Sequence, residues 1–270
     1  MITFPNCKIN LGLSIIEKRV DDFHNLETIF YPIPLKDVLE IVPYTSKEVV
    51  FRSSGLSISG DPKKNLVIRA YNLLKASYKL PGVKIHLHKN IPMGAGLGGG
   101  SSDAAFTLIL LNKLFDLKIS NELLVNFASE LGADCAFFIK NESVFATEKG
   151  EKFQDVDISL KDKYIRIIKP YVHISTEEAY AGINPFLKIR RLNDIILGDI
   201  ADWKITLIND FEKHIFLKYP EIGQIKQELY EQGAIYAAMS GSGSSVYGIF
   251  ENEAKTNDRF KNYFSWGVKL

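Results

Sequence analysis

The chain has 270 residues, 46% hydrophobic and 24% charged, the composition of a globular protein; this excludes a disordered chain, a fibrous repeat and a disulfide scaffold. At about 150 residues per domain this length makes one large domain or two moderate ones, able to bury about three quarters of the unfolded surface without a metal or disulfide staple. A net charge of +1, from 33 basic and 32 acidic residues, excludes a general nucleic-acid binder, because a polyanion demands a basic excess.

Taken in chain order, Ile9, Leu11, Leu13 and Ile15 alternate with Asn10, Gly12 and Ser14, the period of a half-buried strand. Residues 29–33 and 38–42 read as two more strands, joined by a turn at Pro34-Leu35-Lys36-Asp37. Residues 49–52 and 56–59 read as a short pair around Ser53-Ser54-Gly55. Asn65 is the expected N-cap of a helix reaching about Lys79, with Leu66, Ala70, Leu73 and Leu74 along one stripe and Pro81-Gly82 ending it. Val83, Ile85 and Leu87 alternate with Lys84, His86 and His88 as a strand. A glycine cluster at 94–100 precedes a strongly apolar helix from Ser101 to about Leu114, and such a helix is normally buried. A further helix is expected over 121–130, stopped by Gly132.

The polar stretch 149–163 marks a domain boundary or a crossover. Beyond it come a strand at 164–168, a short helix at 175–182 and helices at 207–218 and 221–232. Strands at 234–239 and 246–250 flank Ser240-Gly241-Ser242-Gly243-Ser244, and a polar helix and a last strand close the chain. Strands and helices intermix without strict βαβ alternation, so the expected fold class is α+β rather than a doubly wound sheet.

Several site types are excluded early. Cys7 and Cys135 are too few for a disulfide framework or a four-thiolate zinc site. His86 and His88 share a strand face, but no acid or thiol nearby completes a ligand set, so they read as a polar face and the metal ligands stay unassigned. The apolar run 104–111 is far shorter than the roughly 18 residues of a membrane span, and Met1-Ile2-Thr3-Phe4-Pro5 has no signal-peptide pattern. The expectation is a soluble protein of the reducing cytoplasm.

The strongest chemical feature is Pro92-Met93-Gly94-Ala95-Gly96-Leu97-Gly98-Gly99-Gly100-Ser101-Ser102-Asp103. Its glycines leave backbone N–H groups unscreened, and it runs into a helix N-terminus, where free N–H groups and the helix dipole favour an anion. Ser101 and Ser102 add hydroxyls that can reach a phosphate or a phosphate-held metal. No Gly-Lys pair occurs anywhere in the chain, which excludes a Walker A loop. Gly94-Ala95-Gly96-Leu97-Gly98-Gly99 satisfies G-x-G-x-x-G, so a dinucleotide-binding oxidoreductase stays open, with Asp116 at the required distance but ending a helix rather than a strand. The small residues of 239–245 read either as a hairpin turn or as backbone packed close to a ligand or to the first glycine loop. Lys8, opening an apolar strand, and Asp134, just ahead of Phe137-Phe138, are unremarkable singly. Beside a phosphate loop they supply what phosphoryl transfer needs: a cation near the transferring group and an acid to accept a hydroxyl proton.

Lys8-Ile9-Asn10-Leu11, the loop at 92–102 and the turn at 239–244 together resemble the three ordered motifs of the GHMP small-molecule kinases, over essentially the whole chain. Arg19-Val20-Asp21-Asp22-Phe23-His24-Asn25-Leu26, Asn65-Leu66 with Arg69-Ala70, and Leu131-Gly132-Ala133-Asp134-Cys135-Ala136-Phe137-Phe138 resemble the branch that acts on a cytidine diphosphate-linked methylerythritol. The resemblance implies a two-domain fold, with a ribosomal-protein-S5-like domain over 1–155, a ferredoxin-like α/β-plait domain over 156–270 and the active site in the cleft between them. It implies transfer of the ATP γ-phosphoryl group to the substrate 2-hydroxyl, in the methylerythritol phosphate route to isoprenoid precursors, by a cytoplasmic monomer or homodimer with no nucleic-acid or membrane partner.

Carried over by position, Asp134 is the general base and Lys8 its cationic partner, while Asn10 contacts the substrate. Asn65 and residues 92–102 hold ATP, with Mg²⁺ neutralising its phosphates. Phe23 and Tyr180 stack on the cytosine, His24 meets its edge, and Thr176 belongs to the same substrate-binding set. Phe23 stands where the branch has Tyr, Asp22 where it has Gly, and Ala136 where it has Pro. Cys7 and Cys135 flank the expected catalytic pair and read either as small buried apolar residues or as a thiol-sensitive element. Other GHMP kinases, acting on homoserine, mevalonate or a sugar, and a catalytically silent nucleotide binder are the remaining alternatives.

Overall fold

The computed structural model describes residues 1–58, 60–183, 191–253 and 258–270. In chain order these form β1 (Ile2–Thr3), β2 (Asn6–Lys18), β3 (His24–Lys36), β4 (Val38–Tyr44), β5 (Val49–Gly55), α1 (Leu66–Ser77), β6 (Gly82–Lys89), α2 (Gly99–Leu114), α3 (Asn121–Leu131) and α4 (Ala133–Lys140). There follow β7 (Val144–Thr147), β8 (Lys152–Asp155), β9 (Tyr164–Lys169), α5 (Thr176–Ala181), α6 (Leu192–Ile196), α7 (Trp203–Thr206), α8 (Glu212–Lys218), α9 (Pro220–Glu231), β10 (Tyr236–Met239), β11 (Val246–Phe250) and β12 (Phe264–Lys269). The α+β class is as expected. Among the described residues no helix is long and apolar enough to cross a membrane.

The chain divides into two compact units interleaved in sequence. The first comprises Met1–Cys7, Pro34–Met93 and Gly98–Glu142; the second comprises Lys8–Ile33, Gly94–Leu97 and Ser143–Leu270. This division does not coincide with a single boundary at 155/156, because Leu13, Ile15 and Leu26 share their core with residues beyond that point.

The first unit is built on one sheet of order β1-β4-β6-β5. β4 runs antiparallel to β6 from Val38↔His88 to Tyr44↔Gly82. β5 runs parallel to β6 from Val49↔Val83 to Gly55↔Lys89, as one strand rather than the short pair expected there. Ser53 and Ser54 had the look of a turn, but they lie on an edge strand, where polar side chains face water and the backbone needs a partner on one side only. Ser59, the end of that expected pair, lies outside the described residues.

Asn65 caps α1, its Oδ1 accepting from Val67 N at 2.9 Å. Helix α2 begins two residues earlier than expected, at Gly99 after the left-handed Gly98, and buries Ala104, Ala105, Leu108 and Leu111 completely. Gly132 ends α3 as expected and at once opens α4, an eight-residue helix the sequence reading did not separate out.

The second unit holds two sheets, β2-β3-β7-β8 and the fully antiparallel β10-β11-β9-β12. Its core gathers Leu13 and Ile15 from β2, Leu26 from β3, Ile168 from β9, Ile215 from α8, Ile225 and Leu229 from α9, and Phe250. Strand β2 is buried from Asn6 through Ile15, on both faces rather than one. The helix expected from Leu207 begins at Glu212, because Ile208–Asp210 serves as a strip of strand instead: Leu13 N donates to Ile208 O at 3.0 Å and Asp210 N to Leu13 O at 2.9 Å. The polar helix expected after Phe250 falls partly on residues outside the described set; within that set there is a 3₁₀ turn at Asp258–Phe260.

The mixed sheet around β6 also removes the dinucleotide-binding alternative, which needs a parallel sheet with Asp116 at a strand end. Asp116 sits just past α2 and forms an exposed pair with Lys118 at 3.7 Å.

Because α2 is the central buried helix of its unit, Leu111→Ala should destabilise the protein by about 2–5 kcal/mol, read as a lower urea midpoint.

Candidate active site

Strand period places Lys8, Asn10 and Gly12 on one face of β2. Lys8 is only 4% exposed. Its Nζ donates to Asn10 Oδ1 at 2.6 Å and to Gly96 O at 3.1 Å, and stands 4.9 Å from the centroid of the Phe30 ring. Burying an ammonium without such acceptors would cost several kcal/mol. Asn10 is fixed in turn: its Nδ2 donates to Thr28 Oγ1 at 2.9 Å, its backbone N donates to Ser240 Oγ at 3.3 Å, and its carbonyl accepts from Tyr247 OH at 2.7 Å. Lys8 and Asn10 are therefore brought together with the glycine loop and the serine-glycine turn, as the motif order implied.

The first part of the loop, Gly94–Leu97, packs within the second unit. Leu97 O accepts from Lys8 N at 3.0 Å, and Ala95 O accepts from Ser245 N at 3.2 Å. Gly96 O also accepts from Ser240 Oγ at 2.8 Å. Gly96 has φ +74°, and a Cβ there would lie 1.8 Å from Ser240 O. Both readings of 239–245 hold together: it is the turn between β10 and β11, and its backbone lies against the glycine loop. The second part, from Gly98, opens α2 in the first unit.

In the first unit, Asn65, Met93, Gly100 and Asp103 line a cavity of about 490 Å³, with Phe51 and Leu87 among its apolar walls. Pro92 is buried and Met93 exposed at its rim. Ser102 Oγ, at the start of α2, is buried and has no hydrogen-bond partner among the described residues. That orphaned hydroxyl fits a phosphate oxygen or a phosphate-held Mg²⁺; among the described residues no three His, Cys, Asp or Glu side chains converge as a protein-only metal site. His86 and His88 hydrogen-bond Ser54 Oγ at 3.0 and 2.9 Å, the polar strand face expected of them.

Asp134 is half-buried in the first turn of α4 rather than at a cap, the cap being Gly132. Its neighbour Cys135 is fully buried, and burial pushes the thiol up to about 11 against a hydrogen bond from Ser101. Cys7 is likewise fully buried. A thiol so far from its thiolate form is unreactive, so the small-apolar reading of Cys135 stands, and the burial of Cys7 agrees with the same reading there.

At the expected cytosine end, His24 and Tyr180 stack on each other, with ring centroids 4.8 Å apart at 22°. Tyr180 is backed edge-on by Phe211 at 4.9 Å. Burial, and secondarily the charge of Lys18, lowers the His24 pKa and keeps the imidazole neutral at pH 7. Phe23 is 59% exposed, with Lys149 Nζ 5.1 Å from its ring centroid. It is not in the His24–Tyr180 stack. Asp22 adopts φ 62°, the left-handed region that favours Gly and that Asp tolerates better than most residues. Thr176 is the exposed first residue of α5, capped by Ser175.

Sequence reasoning missed two supports. Asn209 Nδ2 donates to both Met239 O and Gly241 O at 2.8 Å, pinning the serine-glycine turn. His173 lies against Gly94, where a Cβ would come within 2.7 Å of its ring. Asn209 looked like a helix-interior residue, and only the pairing with β2 reveals it. The loop–turn contact makes Gly96→Ala a severe change: phosphoryl transfer, read as ADP release, should fall more than about 100-fold in a protein with an unchanged far-UV circular dichroism spectrum, since a 1 Å misplacement costs that much.

With this geometry in view, comparisons with known proteins are decisive. Residues 65–142 match the model of the GHMP kinases N terminal domain, and residues 192–261 match the GHMP kinases C terminal model. The chain is 55% identical to the 4-diphosphocytidyl-2-C-methyl-D-erythritol kinase of Bacteroides fragilis, covering 100% of both chains. It is 52% identical to the enzyme of that name from Cytophaga hutchinsonii, over 95% of this chain and 94% of that one. A crystal structure of 4-(cytidine 5'-diphospho)-2C-methyl-D-erythritol kinase superposes with a TM-score of 0.82 at 29% identity, covering 99% of this chain and 98% of that one. The chain therefore belongs to the GHMP kinases, in the branch of the 4-diphosphocytidyl-2-C-methyl-D-erythritol kinases.

Proposed function

We propose that the protein transfers the γ-phosphoryl group of ATP to the 2-hydroxyl of 4-diphosphocytidyl-2-C-methyl-D-erythritol, a step toward isoprenoid precursors. The observation that carries this reading is the Lys8 ammonium, buried and aimed by Asn10 Oδ1 and Gly96 O at the glycine loop, in a chain so similar to kinases of that name.

The acceptor hydroxyl oxygen attacks the γ-phosphorus as the bond to the β–γ bridging oxygen breaks, and ADP leaves. The hydroxyl proton passes to the Asp134 carboxylate. Lys8 orients that hydroxyl and lowers the cost of charge developing on its oxygen, while Asn10 contacts the substrate. The N–H groups of residues 99–101, which as the first turn of α2 have no intrahelical acceptor, take phosphate oxygens with Ser101 and Ser102. The cavity lined by Asn65 and Met93 takes the rest of the nucleotide. Mg²⁺ carried on the phosphates, with Ser102 Oγ as the protein group beside it, would neutralise part of their charge.

At the other end the cytosine stacks on Tyr180, displacing His24 from that face, and Phe23 covers its second side. A neutral His24 then offers one donor and one acceptor to the edge of an uncharged base. Both substrates are water-soluble nucleotides, which fits a cytoplasmic enzyme.

The test is ADP release with Mg-ATP and, in turn, the cytidylyl compound, methylerythritol phosphate, homoserine and mevalonate. Turnover is expected with the cytidylyl compound alone; turnover with homoserine or mevalonate alone would place the chain in another branch. Asp134→Asn should lower kcat by about 100-fold or more, the size of a general-base contribution, with KM little changed. An undiminished kcat would remove Asp134 as the base.

A further inference from the structure

Away from Lys8, the first unit buries a second cation. Lys89, the last residue of β6, is 2% exposed and lies between two carboxylates. One is Asp37, at the β3–β4 junction, whose Oδ2 pairs with Lys89 Nζ. The other is Asp103, on α2, whose Oδ2 accepts from Nζ at 2.7 Å. The other oxygen of Asp37 accepts from the backbone N–H groups of Asn90 at 2.6 Å and Ile91 at 2.9 Å. A Cβ on Gly99 would stand 2.7 Å from Ile91 Cγ2 and 3.3 Å from Lys89 Nζ, so the start of α2 is pressed against the same group. The chain therefore enters the glycine loop at Asn90–Ile91 and leaves it in α2 with both points tied to one ammonium.

We propose that Asp37, Lys89 and Asp103 form a positioning triad that fixes the N-terminus of α2 relative to the loop entrance and thereby sets the affinity for the phosphates of ATP. The proposal rests on the reading that this loop holds ATP. The triad is not needed for charge balance, because two carboxylates against one ammonium bury one net negative charge, which desolvation opposes. Its geometry accounts for that cost: a carboxylate accepts two backbone N–H groups and an ammonium at once, which a neutral apolar pair cannot do. Lys89 and Asp103 also line the 490 Å³ cavity, so the staple and the nucleotide share a wall.

The charged groups acting on Asp103 are Lys89 from β6 and Asp37 from the β3–β4 junction; Asp61 and Lys64 lie on the rim of the same cavity. Burial first, and Asp37 after it, push the Asp103 carboxyl up to about 7 against the pull of Lys89. Its Oδ1 has no donor among the described residues and is where a proton would sit.

The test measures the Kd for Mg-ATP by calorimetry, together with the KM for ATP and for the acceptor. The variants are Asp103→Ala, Asp103→Asn and Lys89→Met. Asp103→Ala leaves a neutral Lys89–Asp37 pair and is the variant expected to fold even if Lys89→Met does not. It should weaken ATP about tenfold or more while the acceptor KM stays within about twofold, and Asp103→Asn, which still accepts from Lys89, should recover most of that loss. Equal ATP affinity in folded Asp103→Ala and wild type would overturn the triad while leaving the kinase reading intact. Wild type that binds no ATP would overturn the kinase reading and the triad with it.

Discussion

Gly96 and Ser240 bring two stretches of backbone closer than any side chain permits, and much of the second unit is arranged to hold that approach. The carbonyl of Gly96 receives both the Lys8 ammonium and the Ser240 hydroxyl. Ser240 in turn accepts from the backbone of Asn10, and Asn209 fixes the turn from behind. The contact ties the first long strand, the glycine loop and the last hairpin into one hydrogen-bonded knot. Remove the closeness and the ammonium loses the Gly96 carbonyl; a buried cation left short of acceptors costs more than the bond itself was contributing.

The two buried lysines illustrate different solutions to the same desolvation problem. Among the partners of Lys8 are a side-chain amide, a carbonyl and the face of Phe30. Lys89 is met by two carboxylates, which hold its pKa up against burial and direct its charge inward, into structure.

What the sequence revealed depended on how local each signal is. The cap at Asn65, the glycine-rich stretch and the buried helix after it are written in neighbouring residues and lie where expected, whereas β2, read as half-buried, is buried on both faces. Asp134 drew notice only beside a phosphate loop and gained a role only through resemblance, since the short α4 follows α3 with a single glycine between them and shows no period of its own. Ser53 and Ser54 carried the composition of a turn because an edge strand tolerates it. Asn209 and the Asp37–Lys89–Asp103 cluster were invisible for a different reason. Each is an ordinary polar residue near an element end, where water is the usual partner, and only distant pairing turns it into a buried anchor. The His24–Tyr180 stack was half legible: both residues were named, but for contact with a ligand rather than with each other.

The interleaving of the two units has a consequence for how the protein is made. The core of the second unit draws on Leu13 and Ile15 near the beginning of the chain and on Phe250 and Phe260 near its end. During synthesis the early strands leave the ribosome long before the residues that cover them exist. They must wait, apolar and uncovered, for almost the whole polypeptide, whereas the sheet and helices of the first unit are complete once residue 142 has emerged. Loop closure over such separations is slow, and exposed strand edges invite aggregation meanwhile. This architecture therefore places its folding hazard in β2 and β3, the strands that carry Lys8, Asn10 and His24, until the last fifty or so residues arrive, on the order of a few seconds at about 5–20 residues per second.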